Sequence, residues 1–215
     1  MVAADHQLGS EAGAQILAKG GNAVDAAIAT ALAVGVVQPA GSGLGGGGFA
    51  VVVPPDGTAS VIDFREVAPA DSTQDMYAKL DDPKASRIGG LAVAVPGESA
   101  GLLMLHKRWG KLPFDEVAKP AVQLARDGFE VGGHLAAALE RLGPEAASMS
   151  KSLFGNQEIP KEGDRVKRTV LAKTIEQWAA KHEDGFRSGA IAKDIVNAVQ
   201  SAGGIMTMQD LQAYA

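Results

Sequence analysis

Ser42-Gly43-Leu44-Gly45-Gly46-Gly47-Gly48-Phe49 opens the stretch that decides the reading of this chain, and Ile62-Asp63-Phe64-Arg65-Glu66 closes it. Four consecutive glycines feed an apolar, β-rich run, and the partner run ends in a single arginine. Glycine has no Cβ, so backbone can pack on backbone or come close to a ligand. An arginine just past a strand presents a planar fork that matches both oxygens of a carboxylate. Together these features predict a pocket for a small carboxylate-bearing molecule. On the residues alone Arg65 has a second reading, a surface ion pair with Asp63 or Glu66, worth about 0–1 kcal/mol if exposed.

Composition sets the limits around that stretch. The chain has 215 residues, enough for a sizeable core, and 27 of them are glycine, about twice the usual share. With 20 Lys and Arg against 25 Asp and Glu, the net charge is -5. That balance argues against a nucleic-acid partner, which calls for a basic face. Cysteine is absent, so disulfides and thiolate zinc sites are excluded. His6, His106, His134 and His182 lack metal-ligand spacing. Neither a metal nor another cofactor is expected. The longest apolar run, Ala26 to Val37, is too short to span a bilayer, and the N-terminus does not pattern as a signal peptide.

Outward from the glycine run, the expected elements mix strand and helix and then become almost all helix. Met1–Ala4 reads as a short strand and Leu8–Lys19 as a helix stopped by Gly20-Gly21. Asn22 is a suitable N-cap for a buried helix reaching about Val36. Phe49–Val53 and Ala59–Phe64 flank Pro54-Pro55-Asp56-Gly57 as a hairpin. Residues 67–90 look irregular, with a helical turn near Asp75–Leu80, and Leu91–Val95 reads as a strand. Helices follow at Ser99–Trp109, Phe114–Asp127, Gly133–Leu142, Lys167–His182, Ala190–Ala202 and Thr207–Tyr214, with a polar loop at Phe154–Asp164. Gly110 and Gly128 stand where helices end. The pattern fits the α+β class or a layered αββα sandwich, helix-rich in its second half and with fewer strands than its helices call for.

Two motifs need weighing. Gly41-Ser42-Gly43-Leu44-Gly45-Gly46 fits Gly-x-Gly-x-x-Gly, but a dinucleotide fingerprint follows a strand and opens a helix, the reverse of the order here. Close backbone packing explains the glycines. Gly97-Glu98-Ser99-Ala100-Gly101 matches the nucleophile elbow Gly-x-Ser-x-Gly, and the order Ser99, Asp164, His182 is that of its triad. A polar first-turn serine explains the same letters.

Taken in order, several segments resemble the gamma-glutamyltranspeptidase family. They are Gly20-Gly21-Asn22-Ala23-Val24-Asp25-Ala26-Ala27, Gly43-Leu44-Gly45-Gly46-Gly47-Gly48-Phe49, Ile62-Asp63-Phe64-Arg65-Glu66 and Ala68-Pro69. Val95-Pro96-Gly97, Gly110-Lys111-Leu112-Pro113, Ala125-Arg126-Asp127-Gly128-Phe129, and Gly203-Gly204 leading to Asp210-Leu211 and Tyr214 continue the likeness to the end of the chain.

The resemblance implies an N-terminal-nucleophile hydrolase fold, an αββα sandwich, of which residues 1–215 would be the N-terminal portion of a large subunit and a single incomplete domain. It implies a precursor that cuts itself, and a second chain whose new N-terminal threonine attacks γ-glutamyl amides such as glutathione. The glutamyl group then passes to water or to an amino acid or peptide. The arginine that grips the substrate α-carboxylate maps onto Arg65, with Asp63 and Glu66 holding it in place, and Ser99 becomes an ordinary helix start. A periplasmic or secreted location follows from the likeness, with a cytoplasmic one still open. No Thr-Thr-His or Thr-Ser-His cleavage site occurs in the sequence, so no catalytic residue is expected here and the chain alone should be inactive. A non-catalytic binding or scaffold fragment, and a serine hydrolase using Ser99, are the alternatives.

Overall fold

A computed structural model describes residues 1–156 and 158–214, which divide into two compact units. The first comprises residues 1–43 and 104–179, the second 44–103 and 180–215. Mixed helix and strand, with helix in excess, is the α+β composition expected.

In the first unit, helices α1 (Gln7–Ala18), α2 (Ala23–Val37) and α4 (Phe114–Asp127) pack together. Ile16, Ile28, Ala29, Leu32, Ala33, Val36, Val117, Ala121 and Ala125 are buried between them. Helix α2 buries a broad face that includes Ile28, Leu32 and Val36, while Ala23 and Ala27 on the opposite side are exposed even though that side is also largely apolar. Helix α7 (Thr169–Lys181) contributes Trp178, which is wholly buried and meets the edge of Phe114 with ring centroids 5.0 Å apart.

Both ends of α2 are tied by polar groups. At its start Asn22 accepts from the N–H groups of Val24 and Asp25, and Asp25 accepts in return from the Asn22 N–H at 3.0 Å, closing a capping box. The Asp25 carboxylate is fully buried and also receives the backbone N–H groups of Lys111 and Leu112 at 3.0 to 3.2 Å. Asn22 donates to the Trp109 carbonyl. One carboxylate thus joins the start of α2 to the loop entering α4. At the far end the Arg168 guanidinium donates to the carbonyls of Gly35 and Val36 at 2.7 and 3.0 Å, a cation against the negative end of the helix dipole. Burial lowers Arg168 to about 10, which leaves it charged at neutral pH.

The second unit is built on the hairpin of β1 (Phe49–Val52) and β2 (Ser60–Asp63), paired antiparallel from Phe49 opposite Asp63 to Val52 opposite Ser60. Its turn closes through the Gly57 N–H on the Pro54 carbonyl, with Gly57 at φ 81°. Helix α3 (Glu98–Trp109) starts in this unit, and α9 (Gly189–Ser201) and α10 (Met208–Ala213) complete it. Val95, Ala192, Val196, Val199, Met206, Leu211 and Tyr214 form its apolar cluster.

The structure corrects several expectations. Met1–Ala4 is not a strand. It has no pairing partner and leads directly into α1, where His6 Nδ1 accepts from the Leu8 N–H and caps the helix. Leu91–Val95 is not a strand either. The Ala92 and Val93 N–H groups bond locally to Gly89 and Gly90 in a 3₁₀ turn, and only Val95 pairs, in a single bridge to Val67. Two helices escaped the sequence pattern, α6 (Ala146–Phe154) and α8 (Glu183–Arg187). Helix α6 buries Ala146 and Ser150, too few and too small to leave an apolar stripe. A short bridge between β3 (Phe129–Glu130) and β4 (Arg165–Val166) was also unforeseen, because two-residue strands carry no periodicity. Of the loop expected over Phe154–Asp164, Phe154 closes α6 and the rest is irregular where described, with Gln157 outside the described residues. Helix α5 (Gly133–Arg141) and the remaining helices lie within two residues of expectation.

Asp25→Ala should lower the free energy of unfolding by about 3 kcal/mol, since it removes a helix cap and strands buried N–H groups. Urea denaturation followed by circular dichroism measures this. A loss below about 0.5 kcal/mol would mean that the carboxylate does not hold the α2 start.

Candidate substrate-binding site

The glycine run enters the second unit beside the end of β2. The hairpin pairing extends beyond the strands, with Phe64 donating to the Gly48 carbonyl at 2.9 Å and Gly48 to that of Phe64 at 3.3 Å. Gly47 lies so close to this segment that a Cβ there would stand 2.4 Å from the Phe64 carbonyl oxygen and 3.0 Å from the Arg65 Cα. Gly97 is equally constrained. A Cβ on it would meet the Phe64 carbonyl oxygen and the Tyr214 hydroxyl, each at 2.1 Å. The Gly97 and Glu98 N–H groups both donate to the Gly46 carbonyl at 2.9 Å. These glycines are required by backbone contact, which is the packing reading of the glycine-rich segment.

Arg65 emerges from this frame with its backbone fixed on both sides. Its N–H donates to Asp63 Oδ1 at 3.0 Å, and its carbonyl accepts from the Tyr214 hydroxyl at 2.7 Å. The side chain is 64% exposed. Its guanidinium lies 5.8 Å from the centroid of the Phe49 ring, within cation–π range, and its Nε is 3.9 Å from a Glu66 carboxylate oxygen. That ion pair is at the limit of contact and, at this exposure, adds at most a few tenths of a kcal/mol. Both sequence readings of Arg65 therefore have a physical counterpart: a weak surface pair and a guanidinium open to a ligand.

Of the acidic neighbours, Asp63 bonds to the Arg65 backbone and Glu66 to its side chain. The three residues expected at this site are thus brought together. Two participants had no role assigned from sequence. In the sequence Phe49 starts a strand and closes the glycine-run segment of the family likeness, and its register opposite Asp63 brings its ring under the arginine. In the sequence Tyr214 is a helix end and part of the family likeness, and its distance of 149 residues from Arg65 leaves no local signal of their contact.

Around Tyr214, burial raises the phenol above its ordinary value and the negative charges of Asp63 and Glu66 raise it further, against a smaller lowering by Arg187. The phenol thus stays a hydrogen-bond donor. Asp210, at the start of α10, accepts from the Ala70 N–H at 2.8 Å and from the Thr207 N–H and hydroxyl, both at 2.7 Å. Burial pushes its carboxyl upward, but these bonds outweigh burial and hold it below the ordinary carboxylate value.

Ser99 does not form a nucleophile elbow. It is 5% exposed in the first turn of α3, and the residue before the motif that pairs, Val95, makes one bridge and no strand. An elbow needs a strand-to-helix turn that lifts the serine hydroxyl into the open. Among the described residues no cluster of three or more His, Asp or Glu side chains is placed to hold a metal ion, and no helix is long and apolar enough to cross a membrane.

The family model of gamma-glutamyltranspeptidase matches residues 9–215. The chain is 44% identical over 219 residues to Scoloptoxin SSD14 of Scolopendra dehaani, an alignment covering 99% of this chain and 38% of that protein. It is 40% identical over 223 residues to the glutathione hydrolase proenzyme of Escherichia coli K12, covering 100% of this chain and 38% of the relative. The crystal structure of Helicobacter pylori gamma-glutamyltranspeptidase superposes with a TM-score of 0.93 at 36% identity, covering 100% of this chain and 64% of that one. The chain thus spans little more than a third of the length of these curated relatives. With the glycine frame, the arginine and the family model all falling on the same residues, the chain belongs to the gamma-glutamyltranspeptidase family.

Proposed function

We propose that this chain is the N-terminal portion of the large subunit of a γ-glutamyltransferase or glutathione hydrolase, and that Arg65 binds the α-carboxylate of its γ-glutamyl donor. The observation that carries this reading is a guanidinium whose backbone is fixed on both sides while its fork remains open. A fixed, planar, permanently charged fork suits bidentate recognition of a carboxylate. The Phe49 ring lies within cation–π range of the guanidinium, Glu66 pairs with it weakly, and Asp63 holds the Arg65 backbone N–H at the end of β2. Their negative charges also disfavour an anion that does not pair directly with the fork, so the site selects by geometry as well as charge.

The complete enzyme would cleave the γ-glutamyl amide with a threonine supplied by a second chain. The threonine hydroxyl attacks the carbonyl, its own α-amine takes the proton, and that proton passes to the leaving nitrogen as the C–N bond breaks and the amine departs. Water or an amino acid or peptide then attacks the acyl-enzyme and releases the glutamyl group. The contribution of the present residues is to anchor the donor by its α-carboxylate, so that the γ-carbonyl arrives in one place. The hairpin supports a partner chain. Phe49 and Val51 alternate along β1 with Val53 just past its end, Val61 stands opposite Val51, and all four are 59% or more exposed. Such an apolar sheet face favours being covered. The resemblance and the relatives named glutathione hydrolase support glutathione as a donor and a periplasmic or secreted setting.

Denaturing intact-mass spectrometry of the full-length protein that contains this chain should find a second polypeptide beginning with threonine, in material that hydrolyses a γ-glutamyl anilide. A single uncleaved, inactive species would overturn the enzyme reading and favour a binding or scaffold role. In that enzyme Arg65→Lys should raise KM for the donor by ten- to a hundredfold with a smaller change in kcat, because lysine cannot form the fork. Unchanged kinetics would remove Arg65 from the site. Ser99→Ala should keep activity within about twofold, whereas a loss of several orders of magnitude would restore the serine as a nucleophile.

A further inference from the structure

We propose that Tyr214 is a positioning residue for Arg65: its buried hydroxyl holds the Arg65 carbonyl and so sets the direction in which the guanidinium leaves the end of β2. The proposal rests on the reading of Arg65 as the carboxylate-binding residue.

The argument starts from what Arg65 lacks. Its side chain is mostly exposed, and its contacts to Glu66 at 3.9 Å and to the Phe49 ring at 5.8 Å are too long and weak to fix a flexible arginine. The aim of the fork is therefore set by the backbone that carries it. On the N-terminal side that backbone is held by Asp63, itself exposed and two residues away. On the C-terminal side it is held by Tyr214, which is 8% exposed and packed in the apolar cluster with Val95, Leu211 and Met206. The anchor that comes from the core is the tyrosine.

Two further features show that the contact is built into the fold. The phenol oxygen occupies space that any side chain at position 97 would need, since a Cβ on Gly97 would lie 2.1 Å from it. Helix α10 also holds the chain leaving β2 at a second point, where Asp210 accepts from the Ala70 N–H. The chain from Arg65 to Ala70 is thus restrained at both residues, at Ala70 by α10 and at Arg65 by the tyrosine that ends it, and the tyrosine is the one that touches the arginine itself. Burial and the charges of Asp63 and Glu66 raise the phenol above its ordinary value, so it is protonated, and hence able to donate, at neutral pH.

Tyr214→Phe keeps the ring in the cluster and removes only the hydroxyl. In the full-length processed enzyme, assayed with a γ-glutamyl anilide, it should raise donor KM about five- to tenfold, the order expected for one lost hydrogen bond, and leave kcat within about twofold. In an Arg65→Lys background the same substitution should raise KM by less than twofold, because the group that it positions has gone. Asp210→Asn separates positioning from stability. It loosens the same helix at Ala70 without touching Arg65, and should lower the urea midpoint but leave KM within twofold.

Three results would overturn the proposal. Unchanged KM in Tyr214→Phe, with KM raised in Arg65→Lys, would leave Arg65 in its role and remove Tyr214 from positioning it. An equal rise of KM in Asp210→Asn and Tyr214→Phe would mean that α10 acts through stability alone. Unchanged KM in Arg65→Lys would overturn the carboxylate reading itself, and the positioning role with it.

Discussion

The end of β2 that carries Arg65 depends on backbone brought unusually close to backbone. The Phe64–Glu66 segment lies against Gly47 on one side and Gly97 on another, at separations that leave no room for a Cβ. Hydrogen bonds from Gly97 and Glu98 to the Gly46 carbonyl, and between Gly48 and Phe64, hold the three segments in register. A side chain on either glycine would force the segments apart, and interiors packed this tightly accommodate such a change poorly. The end of β2, and the arginine that follows it, therefore has very little freedom. An exposed arginine becomes a defined feature because the peptide beneath it cannot move.

A similar logic governs the first unit, with charge in place of close approach. Helix α2 is apolar nearly all round, so apolar burial alone specifies its rotation and its position along its own axis only weakly. Polar groups at its ends supply that information. Asp25 receives N–H groups from its own helix start and from the loop before α4, and Arg168 grips the last carbonyls. A buried carboxylate is tolerated because its oxygens are met by several donors, and a buried guanidinium because it lies at the negative end of a helix. These interactions are costly to leave unpaired, which is why they specify a position.

Much of this was legible from local sequence. Asn22 announced the start of α2, the Pro54–Gly57 segment announced the hairpin turn, and Gly128 the end of α4. Each of these residues acts on its neighbours through its own backbone preferences. The sequence pattern failed where an element depends on a distant partner or buries too little to leave a period. Leu91–Val95 has the composition of a strand, yet the Ala92 and Val93 N–H groups turn back onto Gly89 and Gly90. Helix α6 buries one alanine and one serine per two turns, and nothing in its letters separates it from a loop.

Sequence by itself determined the class of the protein, the placing of nearly every long helix, and Arg65 as a candidate ligand. These follow from propensity, capping and the chemistry of one side chain, all of which act over a few residues. Only the tertiary structure decided that Ser99 is buried in a helix start, that Phe49 lies beneath Arg65, and that the hydroxyl of Tyr214 reaches the Arg65 carbonyl across 149 positions. Such contacts arise when separate elements are packed together. Local preferences cannot encode them, because the energy that makes them belongs to the packed state and not to either segment alone.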